Sequence, residues 1–137
     1  KVLLGRGPER DLILNPTPLE LKIGAETVNT DHIISVATTL PKLMIGLKPF
    51  WGKGVGDLRI TYADKTARHV KRNVARMLRS AQSTKAVDKL ANDGFHSFNT
   101  TQARLKVSGD IVLDGEFLPQ TDAPLNLFAT QPLRFIK

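Results

Sequence analysis

The sequence predicts a mainly β protein, an antiparallel β-sandwich with one or two inserted helices. Three observations predict it. Apolar and polar residues alternate in several stretches of four to seven residues, the mark of half-buried strands. Turn-forming Gly, Pro, Asn and Asp residues separate those stretches at short intervals. Helical spacing of apolar residues stands out over one stretch only, about residues 65–80. With 137 residues, 41% of them hydrophobic and 24% charged, the chain suits one domain with a true core. Neither an internal repeat nor a linker is visible.

In order, residues 1–4 (KVLL) read as a strand that starts without an initiator methionine, as expected of a trimmed terminus or an excised domain. Residues 5–10 form a loop and residues 11–14 a second short strand. After the turn NPTP, Leu19, Leu21 and Ile23 alternate with Glu20 and Lys22. Gly24 and Ala25 then turn the chain into a return strand through Thr27 and Val28, making a hairpin. The run HIISVAT, residues 32–38, is β-branched and nearly continuous, which predicts a strand covered on both faces.

Residues 38–56, TTLPKLMIGLKPFWGKGVG, are too broken for a long helix and too apolar for an ordinary solvated loop. They must pack onto something. Two readings stand: a core-plugging loop anchored by Trp51, or an apolar patch of Met44, Ile45, Leu47, Phe50 and Trp51 rimmed by Lys42, Lys48 and Lys53 that meets acyl chains and anionic head groups.

A strand follows at residues 58–62, and then the helix. Val70, Val74, Met77 and Leu78 form its apolar stripe, with Asp64 as candidate N-cap. Lys65, Arg68, Lys71, Arg72, Arg76 and Arg79 make its other faces basic, either as a solvated surface or as a contact for a membrane or acidic partner. Residues 81–93 are polar and tolerate a second short helix or a mobile loop, ending at the turn Asn92-Asp93-Gly94. From Phe95 the pattern is β again, with Ala103, Leu105, Val107, Ile111 and Leu113 all at odd positions. Ser108 and Gly109 mark a bend or bulge, and residues 125–129 and 133–136 are the last two strands.

Composition excludes several classes. No apolar run approaches the roughly 20 residues of a membrane span. The absence of cysteine removes disulfides, thiolate nucleophiles and cysteine-ligated metals. His32, His69 and His96 show no metal-ligand spacing. A net charge of +7 and a pI near 10.0 point to an anionic partner. Aromatic residues make up only 6% and do not interleave with the basic ones, so no nucleic acid is expected and a lipid surface ranks above it.

The run IVLDGEFLP, residues 111–119, carries two carboxylates one residue apart. If it is extended, Asp114 and Glu116 share a face, roughly 6–7 Å apart, and are placed to share a cation or a proton. Gly115 between them lets a ligand come close. Asp-Gly is equally a hairpin turn, and the pattern alone leaves both readings open.

VLDGEFLP, followed by a polar loop and two strands ending PLRFI, resembles the C-terminal end of the lipid kinase family that includes bacterial diacylglycerol kinase-like proteins, sphingosine kinases and ceramide kinases. TTLPKLMIGLKPFWGKGVGDLRIT and the helix after it are similar to one bacterial branch, so the resemblance covers about residues 33–136. It implies a two-domain enzyme in which an N-terminal α/β domain holds ATP on a GGDGT-type loop and a C-terminal β-sandwich presents the lipid hydroxyl. This sequence has no GGDGT, P-loop or Rossmann fingerprint. The resemblance therefore implies the second domain only, inactive alone, with ATP and Mg²⁺ belonging to the full-length enzyme.

By the same resemblance, Asp114 is the base for the lipid hydroxyl and Glu116 part of a magnesium–water network near the phosphates. Phosphoryl transfer needs both a positioned nucleophile and offset charge. One departure stands out: where many relatives carry an acidic pattern after the irregular loop, this chain reads VGDLRI, with Arg59 in place of an acid, which makes a second, structural magnesium site doubtful. The expected partners are an N-terminal nucleotide-binding domain, a lipid alcohol and an anionic membrane met by Lys48, Phe50, Trp51, Lys53, Arg68, Arg72, Arg76 and Arg79. The expected location is cytoplasmic and peripherally membrane-associated. The alternative is a non-catalytic β-sandwich that binds anionic lipid or an acidic protein through the basic helix.

Overall fold

Six antiparallel strands hydrogen-bond in the order β4-β3-β2-β1-β5-β8, and β6 and β7 form a separate two-stranded sheet. In chain order the elements are β1 (Thr17–Ile23), β2 (Glu26–Thr38), β3 (Leu58–Asp64), α1 (Val70–Leu78), α2 (Thr84–Asn92), β4 (Phe95–Thr100), β5 (Gln102–Val107), β6 (Ile111–Leu113), β7 (Glu116–Leu118) and β8 (Leu125–Phe128). This computed structural model describes residues 16–43, 48–78, 83–113, 116–119, 122–131 and 136. The mainly β class with inserted helices is as the sequence predicts. The expected strands at residues 1–4, 11–14 and 133–136 lie outside the described residues, apart from Ile136, which is exposed.

The return strand and HIISVAT are not two strands but one, the 13-residue β2. Its first half pairs with β1, from Glu26 opposite Ile23 to His32 opposite Thr17. Its second half pairs with β3, from His32 opposite Asp64 to Thr38 opposite Arg59. Between these halves the register shifts at His32/Ile34, so Ile33 is a bulge residue. The extra residue switches which positions share a face with core residues: Val28 lies opposite Leu21, and Ala37, itself exposed, opposite Ile60.

One core belongs to both halves. Leu19, Leu21 and Ala103 from the β1–β5 side cluster with Leu58, Ile60 and Tyr62 of β3. Laid flat, the nine-residue step from Val28 to Ala37 would separate these groups by about 30 Å. The sheet therefore folds over at the bulge, the way a sandwich makes a corner with a strand that switches sheets. Coverage of β2 is less complete than the sequence implies, since Ile34 is 36% exposed.

A second cluster, Ala63, Phe95, Met77 and Leu90, fastens both helices to β3 and β4, with Trp51, Val70 and Val74 packed against it. The helix begins at Val70, five residues later than expected. The intervening backbone donors are committed elsewhere: Lys65 N–H to Asp31 O (2.8 Å), Ala67 N–H to Asp64 O (3.0 Å) and Arg68 N–H to Asp93 O (2.9 Å). Asp64 closes β3 and accepts the Thr66 N–H at 2.8 Å, so it caps a turn rather than the helix. The polar stretch after residue 82 is a helix, α2, capped by Ser83, whose hydroxyl accepts the Ala86 N–H at 3.3 Å. It ends at Gly94, where φ is +82° and a Cβ would meet Asp64 and Ala67 at under 3.0 Å.

Candidate functional site

The run that carries the acidic pair is not one extended strand. β6 and β7 pair with each other, Ile111 opposite Leu118, Val112 opposite Phe117 and Leu113 opposite Glu116. Residues opposite each other share a face, so Val112 and Phe117 form one side of this hairpin and Leu113 and Glu116 the other. The single-strand spacing of the two carboxylates is thereby overturned, since the chain reverses between β6 and β7. Asp114 and Gly115 lie outside the described residues. Glu116 is exposed.

The apolar residues of this hairpin are turned to solvent to an unusual degree: Val112 is 55% exposed, Leu113 59% and Phe117 77%. Ordinary strand faces bury such side chains. The hairpin leaves the sheet at the folded corner, because Ser108 N–H meets Pro18 O at 3.4 Å and Gly109 stands against Thr17.

Beside it, on the polar side of β1, β2 and β5, lies an open groove of about 500 Å³ whose lining includes Glu20, Thr30, Asp31, Lys65, Lys106 and Ser108. Its ion pairs are Lys65–Asp31 at 3.2 Å and, at the rim, Lys22–Glu20 at 3.4 Å.

Around the same corner, His96 donates from Nε2 to Asp64 Oδ2 at 2.8 Å, and its ring stacks on Tyr62 with centroids 4.9 Å apart. Burial raises the Asp64 pKa, but hydrogen bonds from Thr66 and His96 outweigh it and hold the carboxyl below its ordinary range. Burial, and then the Asp64 charge, push the Tyr62 hydroxyl up. His32 donates from Nδ1 to the Thr17 carbonyl oxygen at 3.0 Å. Burial lowers its pKa, against the opposing pull of that hydrogen bond and of Asp31.

The residues expected to meet a membrane lie on two elements, the irregular loop and the region of α1. Those of the irregular loop run along the outer edge of β4: Trp51 N–H donates to the Ser97 hydroxyl at 3.3 Å, and Asn99 N–H to Lys53 O at 3.4 Å. Lys48 and Phe50 are half-buried there, Trp51 packs on the second core and Lys53 is exposed. Met44, Ile45 and Leu47 lie outside the described residues.

The basic helix is divided as well. Arg72 and Lys71 are exposed on α1, and Arg68 is exposed in the turn before it. Arg76 instead points back to the Asn73 side-chain oxygen. Arg79 lies outside the described residues. Asn73, which sequence reasoning passed over, is fully buried and donates to Arg68 O at 2.9 Å and Asp93 Oδ2 at 2.7 Å. The hydrogen bond from Asn73 leads in holding the Asp93 carboxyl below its ordinary range, with help from His69, Arg72 and Lys89.

Among the described residues no three His, Asp or Glu side chains gather to hold a metal. Glu116 fits magnesium as one exposed carboxylate, because that ion takes one or two carboxylates with phosphates and water supplying the rest. Arg59 Nη1 donates to Thr39 O (3.0 Å) and Asp57 O (3.1 Å). No described helix is long and apolar enough to cross a membrane.

Comparison with solved structures finds a likeness to a diacylglycerol kinase from Bacillus anthracis str. Sterne, at 11% sequence identity and a TM-score of 0.48, covering 84% of this chain. The chain spans 38% of that protein's chain. No family model matches the sequence, and no curated protein matches it.

Proposed function

We propose that this chain is the substrate-side domain of an ATP-dependent lipid kinase resembling the bacterial diacylglycerol kinases, phosphorylating a lipid hydroxyl with nucleotide held by a separate domain. The observation that carries the reading is the pairing of VLDGEFLP with LKPFWG upstream in one sequence. Its support in the fold is a hairpin that stands off the main sheet and offers exposed apolar side chains next to the Glu116 carboxylate.

In the reaction, the Asp114 carboxylate takes the proton of the lipid hydroxyl as that oxygen bonds to the γ-phosphorus of ATP. The bond from that phosphorus to the β–γ bridging oxygen breaks, and ADP leaves. Glu116 is the carboxylate toward Mg²⁺, which when bound offsets charge on the transferring phosphoryl group. Gly115 keeps the approach to the nucleotide open. Exposed Arg68, Lys71 and Arg72 face an anionic membrane, and the enzyme is cytoplasmic and peripherally membrane-associated.

In the protein expressed from its complete reading frame, Asp114→Asn lowers turnover on a lipid alcohol by about a thousandfold while circular dichroism stays unchanged. Near-normal turnover overturns the assignment.

A further inference from the structure

The exposed face of β1, β5 and β8 carries two cations that the register sets directly opposite each other, Lys22 and Arg104, with Asn126 opposite Arg104 on the next strand. Like charges in opposed positions weaken a sheet. The carboxylate on the adjoining row is already engaged: Glu20 pairs with Lys22 at 3.4 Å and stands opposite Lys106. Two positions further on, Asp31 pairs with Lys65 at 3.2 Å. Glu26 lies opposite Ile23, on the other face. Four cations thus meet two carboxylates on this face, and the surplus gathers at the Arg104 end. Among the described residues the Arg104 guanidinium has no ion pair and no hydrogen bond.

That end is concave. A groove of about 270 Å³ lies there, lined by Lys22, Gly24, Gln102, Arg104, Asn126 and Phe128, with no carboxylate in its lining. Its volume matches about nine liquid waters, room for a ligand of roughly a dozen heavy atoms. Gly24 presents no side chain, and nothing stands within 4 Å of where its Cβ would be, so the groove is open beside Lys22. Phe128 lies opposite Gln102, one row from Arg104, and is 65% exposed. Diagonal neighbours on a sheet are about 7–8 Å apart, within reach of one another through long or aromatic side chains.

The chemistry of the lining is specific. A guanidinium fork grips two oxygens of an oxyanion, an ammonium beside it adds a second charge, and the Gln102 and Asn126 amides supply neutral donors. Two cations without a shared acid favour a dianion over a monoanion. An exposed aromatic ring one row away offers a stacking surface for a flat group attached to that dianion.

We infer that this groove binds a small aryl phosphate, its phosphate between Arg104 and Lys22 and its ring against Phe128. The site lies on β1, β5 and β8, apart from the β6–β7 hairpin, and holds whether or not the chain takes part in phosphoryl transfer.

The test is titration of the 137-residue chain at about pH 7.5, where a phosphate ester is close to a dianion, at constant ionic strength and followed by backbone amide shifts. The probes are phenyl phosphate, methyl phosphate, benzoate and benzyl alcohol. Phenyl phosphate should bind about tenfold tighter than methyl phosphate, which lacks the ring, and about tenfold tighter than benzoate, which lacks the second charge. Benzyl alcohol should not bind. Shifts should map to residues 20–24, 102–106 and 125–128. Arg104→Gln should weaken phenyl phosphate about tenfold. Phe128→Ser should weaken phenyl phosphate by a similar factor, about tenfold, and leave methyl phosphate unchanged. Lys85→Gln, which removes the same charge from the exposed surface of α2, should leave all four probes unchanged. No binding of phenyl phosphate, equal affinity for methyl phosphate or benzoate, binding of benzyl alcohol, shifts centred elsewhere, indifference to Arg104→Gln or Phe128→Ser, or an equal loss in Lys85→Gln overturns the proposal.

Discussion

His32 sits where the two halves of β2 meet, 6% exposed, with Nδ1 on the Thr17 carbonyl. Burial favours its neutral ring, so the folded protein resists a proton that the unfolded chain takes up around 6.5. Stability is therefore full above that pH and falls as pH drops below it. His32→Asn, which keeps a donor near the Nδ1 position without titrating, should flatten the loss of urea stability between pH 7 and pH 5. Asp64 and Asp93, both held below their ordinary 3.8, contribute stability above that value that is lost only as pH falls through their lower folded values. Spacing alone argued against a metal-ligand role for His32, and nothing in the sequence marks Asn73. Asn73's partners, Arg68 and Asp93, are five and twenty residues away, and no local period encodes such a bridge.

Among the elements, the strap over residues 48–57 explains its own glycines. A Cβ at Gly54 would come within 2.2 Å of the Asn99 carbonyl and one at Gly56 within 2.1 Å of Thr100, and both have φ in the left-handed half of the map. Three glycines at alternate positions let this segment lie flat on β4 and close an edge that would otherwise offer free backbone groups. Gly54→Ala should lower stability by about 1–3 kcal/mol in chemical denaturation and raise the tendency to aggregate through β4. That the segment packs onto something was legible from its apolar, glycine-broken composition. What it packs onto was not, because edge protection is a relation to a strand some 45 residues further along. The acidic run shows the opposite limit: its pattern left one strand and a hairpin equally open, and only the pairing of β6 with β7 decides for the hairpin.

For the whole molecule, the shared core makes the two halves one cooperative unit. Leu21 is fully buried in the β1 half, and Ile60 and Tyr62 belong to the same cluster in the β3 half. Leu21→Ala should cost about 2–5 kcal/mol, and native-state hydrogen exchange should show β3 amides losing protection together with those of β1. Loss confined to β1 and β5 would mean that the halves unfold separately. The class of fold was legible because period-2 patterning reports which residues are half-buried. The corner was not, since a bulge leaves its trace only as a change of inward parity across Ile33, and a β-branched run masks that change.

Ile33 also divides the chain into places where length can and cannot drift. Residues added at the Gly24–Ala25 tip would only lengthen a loop between β1 and β2. A single residue gained or lost between Val28 and Ala37 would instead turn every side chain of one half of the molecule to the opposite face. A lineage carrying this fold can thus accept insertions at its hairpin tips while the middle of β2 holds its residue count, even where the residues themselves are replaced.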